Sequence, residues 1–372
     1  MGFAPPPYPY DRLDALRARA LEVVGEVVDC SIGTPGDPPP AAVLEALASS
    51  GTERGYPTSA GSPALRQAIS TYLAERFSVE VAADQLAACV GTKEFVASCA
   101  QYLHLRDPSR DVVLHPAVAY PTYAMGATLA GLEAVAVEVD GAGRLRLDDL
   151  DPDLVDRALL LWSNSPSNPT GALDDLDAAA AWGRAAGVPV FSDECYAEFT
   201  WQGPPATILR SGLEGVVAVH SISKRSNLAG VRCGFYAGDP ELVSYLRAVR
   251  QHAGLMVPGP VQAAVAVAYG DQTHVAEQRA RYLARLEVLA AALTHAGIPA
   301  EVPAGTFYLW VPTPERFADD WALAAHLAEQ AGLIVSPGEF YGPAGIGAIR
   351  IAVVADDAAT ARVASRLGEA SH

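Results

Sequence analysis

The stretch Val216-Val-Ala-Val-His-Ser221-Ile-Ser-Lys224-Arg-Ser-Asn-Leu-Ala-Gly-Val-Arg232 decides the fold class of this sequence. Its first part, Val216–His220, is almost entirely apolar, which is typical of a strand buried on both faces of a parallel sheet. Lys224 follows that strand, and ligands of open α/β sheets bind at the carboxyl edge of the strands. A lysine at such an edge can lose its proton through burial and neighbouring positive charge, and can then attack a carbonyl carbon.

The polar groups around Lys224 suit a phosphate. Ser221 and Ser223 contribute hydroxyls and Arg232 contributes a guanidinium, which matches phosphate oxygens well. The same segment also fits a different interpretation, an exposed loop with a solvated Lys-Arg pair. The residues of this segment alone leave both interpretations open.

Strands of the same apolar kind are predicted upstream, at Asp111–His115, Ala134–Val139, Ala158–Trp162 and Val188–Ser192. Helical stretches such as Asp174–Ala186 lie between them. This alternation predicts βαβ crossovers and a mostly parallel sheet.

The C-terminal third has a different pattern. Asp271–Ala296 is typical of one long connecting helix. Beyond it, the sequence predicts a smaller α/β lobe with strands at Phe307–Val311 and Ala348–Val354 and helices at Trp321–Ala331 and Asp357–Leu367.

Two more polar motifs follow predicted strands. In Ser192-Asp-Glu-Cys-Tyr196, the carboxylate of Asp193 suits pairing with a protonated ring nitrogen, although it also suits a plain helix cap. In Ser163-Asn-Ser-Pro-Ser-Asn-Pro-Thr-Gly171, two X-Pro steps fix an irregular turn that aims Asn168 inward, although an ordinary Asn-Pro turn has the same pattern.

A glycine-led turn, Val90-Gly-Thr-Lys-Glu94, opens a predicted helix. Backbone N–H groups at a helix N-terminus bind anions. The turn is not a P-loop, because the upstream glycine spacing is absent.

Composition excludes several classes of function. The 372 residues carry 43 acidic and 26 basic side chains, a net charge of −17, which disfavours nucleic acids and anionic membranes as partners. The five cysteines are scattered without a CxxC pair. Free thiols are therefore expected, and a disulfide framework or a metal site is not expected. The sequence shows no signal peptide and no membrane-spanning stretch, so a cytoplasmic location is expected.

Together these segments resemble the class I and II aminotransferases of fold type I, over nearly the whole chain and in the family's motif order. The resemblance implies a large domain with a mostly parallel seven-stranded sheet between helices, and a smaller α/β domain. It implies an N-terminal arm and part of the small domain in residues 1–44, a cofactor-binding domain in 45–270, and a connecting helix and small domain in 271–372. It also implies pyridoxal 5'-phosphate as the cofactor.

By position, Lys224 resembles the family's Schiff-base lysine, which also moves the proton at the substrate Cα. Asp193 resembles the partner of the pyridinium nitrogen. Asn168 and Tyr196 are similar to the pair that hydrogen-bonds the cofactor's phenolic oxygen. The resemblance assigns the phosphate-binding turn and its surroundings to Gly91, Thr92, Lys93, Ser221, Ser223 and Arg232.

Two tyrosines and two substrate-binding residues complete the implied site. Tyr120 is similar to the residue that stacks on the pyridine ring. Tyr56 resembles the tyrosine that contacts the phosphate of a partner subunit, which implies a homodimer with shared sites. Arg350 resembles the arginine that binds the substrate α-carboxylate, beside Asn168 and the backbone of Gly33; an arginine on a strand edge is the alternative for Arg350.

Within the family, the sequence is most similar to bacterial N-succinyl-diaminopimelate aminotransferases. The stretches that carry this likeness are Leu161–Gly171, Ser223–Gly230 and His252–Gln262. Ala117-Val118 and Gly305-Thr306-Phe307 depart from the expected pattern. The likeness implies glutamate as amino donor and N-succinyl-2-amino-6-oxopimelate as the 2-oxo acid acceptor.

Alternatives stay open at this point. A related aminotransferase for aspartate, aromatic or secondary-metabolite oxo acids uses the same residues, and so does a β-lyase. The effector domain of a regulator fits less well, because only about 40 residues precede the cofactor-binding half. The candidates for binding the far end of the substrate are Arg225, Lys93, Arg54 and His252.

Overall fold

The structure of the chain is a computed structural model that describes residues 3–369. The chain divides into two compact units. The larger unit comprises Pro38–Arg279 and Ala304–Thr306, and the smaller one comprises residues 3–37, Ala280–Pro303 and residues 307–369. The predicted division into residues 1–44, 45–270 and 271–372 stays a prediction.

The strands and helices have the following bounds in chain order. The strands are β1 Val28–Asp29, β2 Leu86–Cys89, β3 Val112–Pro116, β4 Glu133–Val137, β5 Ala158–Asn164, β6 Val190–Asp193, β7 Val216–Ser221, β8 Gly234–Gly238, β9 Tyr308–Pro312, β10 Leu333–Ile334, β11 Ser336–Pro337 and β12 Ala348–Ala352. The α-helices are α1 Asp14–Val23, α2 Ala41–Ser49, α3 Pro63–Phe77, α4 Thr92–Arg106, α5 Thr122–Ala130, α6 Pro152–Arg157, α7 Leu176–Ala186, α8 Ile222–Arg225, α9 Pro240–His252, α10 Gly259–Gly270, α11 Thr273–His295, α12 Asp320–Ala331 and α13 Asp357–Glu369.

The larger unit is built on a seven-stranded sheet in the order β2-β8-β7-β6-β5-β3-β4. The five strands from β7 to β4 are mutually parallel, whereas β8 runs antiparallel to both β2 and β7. The predicted mostly parallel seven-stranded sheet is therefore confirmed.

Strand β7 shows why apolar runs form the centre of this sheet. Val216 and Ala218 belong to one buried cluster, and Val217 and Val219 belong to a second one. Side chains of a strand point alternately to the two faces of a sheet, so a central strand covered on both faces needs apolar residues throughout.

Strand β4 departs from the expected burial on both faces. Glu133, Ala134 and Ala136 are exposed, because β4 is the last strand of the sheet and pairs with β3 alone. Two further strands, β2 and β8, were missing from the predicted set. Strand β8 begins and ends with glycine, a residue that weakens strand propensity.

Helix α3 has Ser62 as its N-cap residue. The Ser62 hydroxyl accepts the Leu65 backbone N–H at 3.2 Å, and Pro63 occupies the first helical position. The long connecting helix is also present as α11, whose residues up to Arg279 belong to the larger unit. No helix between residues 3 and 369 has the length and apolar character needed to cross a membrane.

The smaller unit contains a three-stranded antiparallel sheet, β11-β12-β9, and a parallel pair, β1 and β10. The predicted strands of this lobe are β9 and β12, and the predicted helices are α12 and α13. Arg350 pairs with Ser336 of β11 on one side and with Trp310 of β9 on the other. It therefore lies on the central strand, and the alternative of a strand-edge position is wrong.

Candidate active site

The sheet topology of the larger unit gathers remote segments at one edge. Cys89 at the end of β2 and Ser221 at the end of β7 both pair with Gly234, the first residue of antiparallel β8. Gly91 follows β2 and Arg232 precedes β8, so both come to the carboxyl end of β7. Residues that the sequence separates by more than a hundred positions thereby meet where α/β folds bind ligands.

The turn at Gly91 and the side chain of Arg232 are in direct contact. Gly91 has φ +78°, and a Cβ built on it would lie 2.2 Å from Arg232 Nη2. Only glycine leaves room for the guanidinium there, and only glycine adopts this φ without strain. Arg232 Nη1 also donates to the Ala229 carbonyl at 2.9 Å, which holds the side chain against the turn.

Helix α4 begins directly after this turn. Its first residues are Thr92 and Lys93, whose backbone N–H groups stand at the positive end of a 15-residue helix. Combined with the Arg232 guanidinium, they are donors of the kind that bind anions such as phosphate.

A buried ion pair holds the start of α4 in place. Arg250 of α9, 1% exposed, donates from Nη1 and Nη2 to the two carboxylate oxygens of Glu94 at 2.9 and 2.6 Å. Its guanidinium also lies over the Phe95 ring, 5.2 Å from the centroid. This two-pronged contact fixes the direction of the first turn of α4.

Lys224 lies in the four-residue helix α8, which follows β7 without a gap. The Ser221 hydroxyl accepts the Ser223 backbone N–H at 3.1 Å and so caps the helix. Lys224 is half-buried, while its neighbours Ser223 and Arg225 are buried. The alternative of an exposed loop with a solvated Lys-Arg pair is therefore wrong.

Arg225 is also excluded as a residue that binds the substrate's far end. Its side chain is 2% exposed, and Nη1 and Nη2 donate to the Ala268 carbonyl and to Gln272 Oε1. The sequence suggested a substrate contact only because Arg225 follows Lys224.

Asp193 ends strand β6 and is buried. Its Oδ2 accepts the Tyr123 hydroxyl at 2.8 Å, and its Oδ1 accepts the Cys195 backbone N–H at 3.1 Å. Burial raises the pKa of the Asp193 carboxyl, and the hydrogen bonds from Cys195 and Tyr123 oppose that rise. The carboxylate does cap the following turn, as the alternative interpretation held, but it is also held by a buried tyrosine from another segment.

Asn164 joins two of the predicted residues and was not singled out from the sequence. Its Nδ2 donates to the Asp193 carbonyl at 2.8 Å, and its Oδ1 accepts the Asn168 backbone N–H at 2.7 Å. Asn168 is buried in a turn with cis peptide bonds at Ser165-Pro166 and Asn168-Pro169. A buried asparagine at the end of an apolar strand was the available signal.

The predicted tyrosines have different environments. Tyr196 is buried, and Tyr120 is half-buried with its ring edge-on to Tyr123 at 5.9 Å between centroids. Tyr123 in turn stacks on Trp162 at 5.3 Å. Tyr56 is fully exposed, and among residues 3–369 no hydrogen bond or ring contact joins its side chain to the other predicted site residues.

In the smaller unit, Arg350 and Gly33 share one neighbour. The Arg350 guanidinium lies over the Tyr308 ring, 4.1 Å from its centroid, and donates to the Ser31 carbonyl at 2.5 Å. A Cβ on Gly33 would lie 2.1 Å from the Tyr308 hydroxyl oxygen. Tyr308 therefore brings these two predicted substrate-binding residues together, and the sequence analysis missed it.

A family model described as aminotransferase class I and II matches residues 26–367. The chain belongs to this family. A probable aminotransferase of Mycobacterium tuberculosis is 40% identical over 97% of this chain and 85% of its own length. The 4-dedimethylamino-4-oxo-anhydrotetracycline transaminase OxyQ of Streptomyces rimosus is 39% identical over 97% of this chain and 99% of its own.

A solved structure supports the same assignment. The structure titled probable N-succinyldiaminopimelate aminotransferase from Thermus thermophilus has a TM-score of 0.88 at 29% identity, and the match covers 98% of this chain and 100% of that one. The protein is thus a fold-type I aminotransferase whose cofactor is pyridoxal phosphate.

The residues of this aminotransferase fit that cofactor. The space that a Cβ would fill at Gly91 is occupied by a guanidinium beside a helix N-terminus, which suits a phosphate. Asp193 offers a buried carboxylate whose ionised form needs a nearby cation, such as a protonated ring nitrogen. When bound, pyridoxal phosphate supplies an aldehyde that reacts with amines and a ring that accepts an electron pair from the substrate Cα.

Proposed function

We propose that this aminotransferase moves an amino group from glutamate to a long 2-oxo acid, N-succinyl-2-amino-6-oxopimelate. The observation that carries the proposal is the likeness to the Thermus thermophilus structure over 98% of this chain and 100% of that one. The stretches Leu161–Gly171, Ser223–Gly230 and His252–Gln262 support it from the sequence. The reaction thereby assigned is that of a succinyldiaminopimelate transaminase.

In this proposal the larger unit supplies the reacting groups. The Lys224 amine would hold the cofactor aldehyde and, as a base, would remove the substrate Cα proton and return it at the other carbon. Asp193 would hold the ring nitrogen in its protonated form. The Asn168 amide and the Tyr196 hydroxyl would hold the phenolic oxygen, and Tyr120 would hold the ring.

The phosphate is assigned to the edge formed by β2, β7 and β8. The backbone amides of Gly91, Thr92 and Lys93 would hold it, together with Ser221, Ser223 and Arg232. The contact between Gly91 and Arg232 supports this assignment, because it places a fixed cation at a helix N-terminus.

The substrate α-carboxylate is assigned to Arg350 and the backbone of Gly33. Arg350 offers a planar fork of donors, and the Gly33 backbone supplies a further contact. The Tyr308 ring below the guanidinium limits the orientations that the fork can take.

We also propose a homodimer in which Tyr56 contacts the phosphate bound by the partner copy. The fully exposed Tyr56 side chain supports this assignment, because burying a large aromatic ring against another surface is energetically favourable.

A second candidate acceptor is the oxo group of a secondary metabolite. The 39% identity to a transaminase of a tetracycline intermediate favours it, over nearly the whole of both chains. All the residue roles above are the same for either acceptor.

A spectrophotometric screen of oxo acids against the glutamate-loaded enzyme separates the candidates. N-succinyl-2-amino-6-oxopimelate should restore the cofactor's original absorbance at low concentration, whereas pyruvate, oxaloacetate and phenylpyruvate should not. A polycyclic oxo compound that is turned over faster would support the second candidate. Release of pyruvate and ammonia without consumption of glutamate would reveal a β-lyase and overturn the proposal.

A further inference from the structure

Arg225 is a buried cation directly beside the proposed cofactor lysine. Its guanidinium lies against the rings of both Tyr72 and Tyr269, 4.9 and 5.0 Å from their centroids. Its Nε is 3.5 Å from the Glu198 carboxylate, which also accepts the Tyr72 hydroxyl at 2.9 Å. A buried charge needs such partners, so Arg225 has essentially one position available.

A chain of three side chains extends from Arg225. Its Nη1 lies 3.1 Å from the Ser226 Oγ, which is 2.8 Å from His274 Nε2, and His274 Nδ1 is 2.9 Å from Asp271 Oδ2. His274 lies in the first turn of α11 and Asp271 just before that helix, both far from α8 in the sequence. These hydrogen bonds thus connect the end of α8 to another helix of the same unit.

The order Ser226-His274-Asp271 matches the order of groups in a hydrolytic triad. Ser226 is 1% exposed, however, and its hydroxyl oxygen already accepts a bond from Arg225. A substrate carbonyl cannot reach it. The three residues are therefore suited to holding a neighbour in place rather than to chemistry of their own.

The hydrogen positions in this chain follow from its two ends. Asp271 accepts, so His274 donates from Nδ1 and Nε2 is left as an acceptor. Ser226 then donates to Nε2 and accepts from Arg225, so both ring nitrogens and the hydroxyl have partners. Burial lowers the pKa of His274, as does the nearby Arg225 guanidinium, while Asp271 opposes this shift, so the neutral ring that the chain requires is favoured.

Helix α8 needs an anchor of this kind. It has four residues, and a helix so short gains too few hydrogen bonds to hold its own shape. The Ser226 backbone N–H donates to the Ile222 carbonyl at 3.1 Å, so the residue that closes the helix also carries the hydroxyl of the chain.

We propose that Asp271, His274 and Ser226 form a positioning relay that fixes Arg225 and, through the α8 backbone, the Lys224 amine. The relay rests on the proposed role of Lys224 as the residue that attaches the cofactor. None of the three residues touches the substrate; each acts through its neighbour.

The test is the rate at which cofactor-free protein acquires the absorbance band of bound pyridoxal phosphate in stopped-flow mixing. Ser226→Ala should slow this step roughly tenfold, because a small misplacement of a reacting amine has large effects on rate. It should also shift the pH at which the band changes colour, and lower kcat with little change in KM. His274→Gln is the second variant, in case Ser226→Ala does not fold.

Ser70→Ala is the matched control. The Ser70 hydroxyl donates to the Val81 carbonyl at 2.7 Å in the same unit, so its loss removes a comparable hydrogen bond outside the relay. Wild-type rates and an unchanged colour transition in both relay variants would overturn the relay. A normal band in Lys224→Ala would instead overturn the role of Lys224, so the two failures are distinguishable.

Discussion

The carboxyl edge of the large sheet and the centre of strand β12 hold their candidate residues in different ways. At the edge, Gly91, Asn164 and Asp193 follow or end different strands and are joined by hydrogen bonds and close contacts with side chains from other segments. In β12, Arg350 is fixed by the two paired strands and by the Tyr308 ring. The edge thus depends on separate contacts between side chains and turns of different segments, whereas the position of Arg350 depends mainly on the backbone pairing of one antiparallel sheet.

This difference predicts how substitutions behave. At the edge, removing one group should change the properties of its neighbours, because several contacts there join groups from different segments. In β12, a change of side chain should alter substrate affinity and leave the cofactor untouched.

The largest expected effect is that of Lys224→Ala. Loss of the attaching amine and of the proton carrier should reduce transamination by at least about 10⁴-fold. The long-wavelength absorbance of the bound cofactor should also disappear. Turnover and absorbance spectrum are measured on the same sample. Wild-type turnover in this variant would show that Lys224 does not have the proposed role.

Asp193→Asn should have the next largest effect. An amide cannot neutralise a protonated ring nitrogen, and loss of one partner of a buried charge pair costs about 2–5 kcal/mol. The dissociation constant of pyridoxal phosphate, measured by fluorescence titration, should therefore rise by roughly 10²-fold or more. An unchanged constant would show that Asp193 only caps the turn at Cys195.

The same variant has the opposite effect on the cofactor-free protein. Burial raises the folded-state pKa of Asp193 above its usual 3.8, so the carboxyl stabilises the fold below pH 3.8 and loses that contribution as the pH rises. Asparagine does not ionise and avoids this loss. Cofactor-free Asp193→Asn should therefore melt at a higher temperature than wild type at pH 7, and a lower melting temperature would contradict the burial argument.

Arg350→Lys tests the other region. A lysine replaces the planar fork with a single point charge, which should cost about 1.5–3 kcal/mol in carboxylate binding. We expect kcat/KM for glutamate to fall by roughly 10- to 100-fold, with the cofactor's affinity unchanged. Arg362→Lys, an exposed arginine of the same unit, is the matched control. Equal values of kcat/KM for glutamate in the two variants would show that Arg350 does not bind the substrate.

The comparison also explains what the sequence could predict. Apolar runs such as Val216–His220 identify buried strands, and polar residues after them identify an edge, so Asp193, Asn168 and Lys224 were found by position. The partners Asn164 and Tyr123 were missed, because a hydrogen bond between remote segments leaves no periodic signal. Strand β8 was missed for a related reason: its glycines hide it locally, and it is stabilised by pairing with β2 and β7.

Arg350 shows the opposite limitation. An arginine inside an apolar strand carries no signal of its own, and only the family resemblance singled it out. Its neighbour Tyr308 follows the segment Gly305-Thr306-Phe307, which departs from the family pattern. Tyr308 belongs to none of the motifs that carry the family resemblance, so the sequence does not indicate that it packs on Arg350.

Tyr123→Phe should have the smallest effect and isolates one link of the edge. The variant removes the hydroxyl that donates to Asp193 but keeps a ring that can stack on Trp162. Since that hydrogen bond lowers the pKa of Asp193, its loss should weaken the hold on a cationic ring nitrogen by about 1–1.5 kcal/mol, roughly a tenfold rise in the cofactor's dissociation constant.

Tyr245→Phe is the matched control for that link, because its hydroxyl donates to the Tyr102 carbonyl between α9 and α4. If both tyrosine variants bind the cofactor as wild type does, Asp193 keeps its charge through the Cys195 N–H and the ring nitrogen alone. The edge would then consist of independent contacts, like those around Arg350. A loss confined to Tyr123→Phe would instead show that the edge acts as one connected network, since Tyr123 itself is assigned no contact with the cofactor.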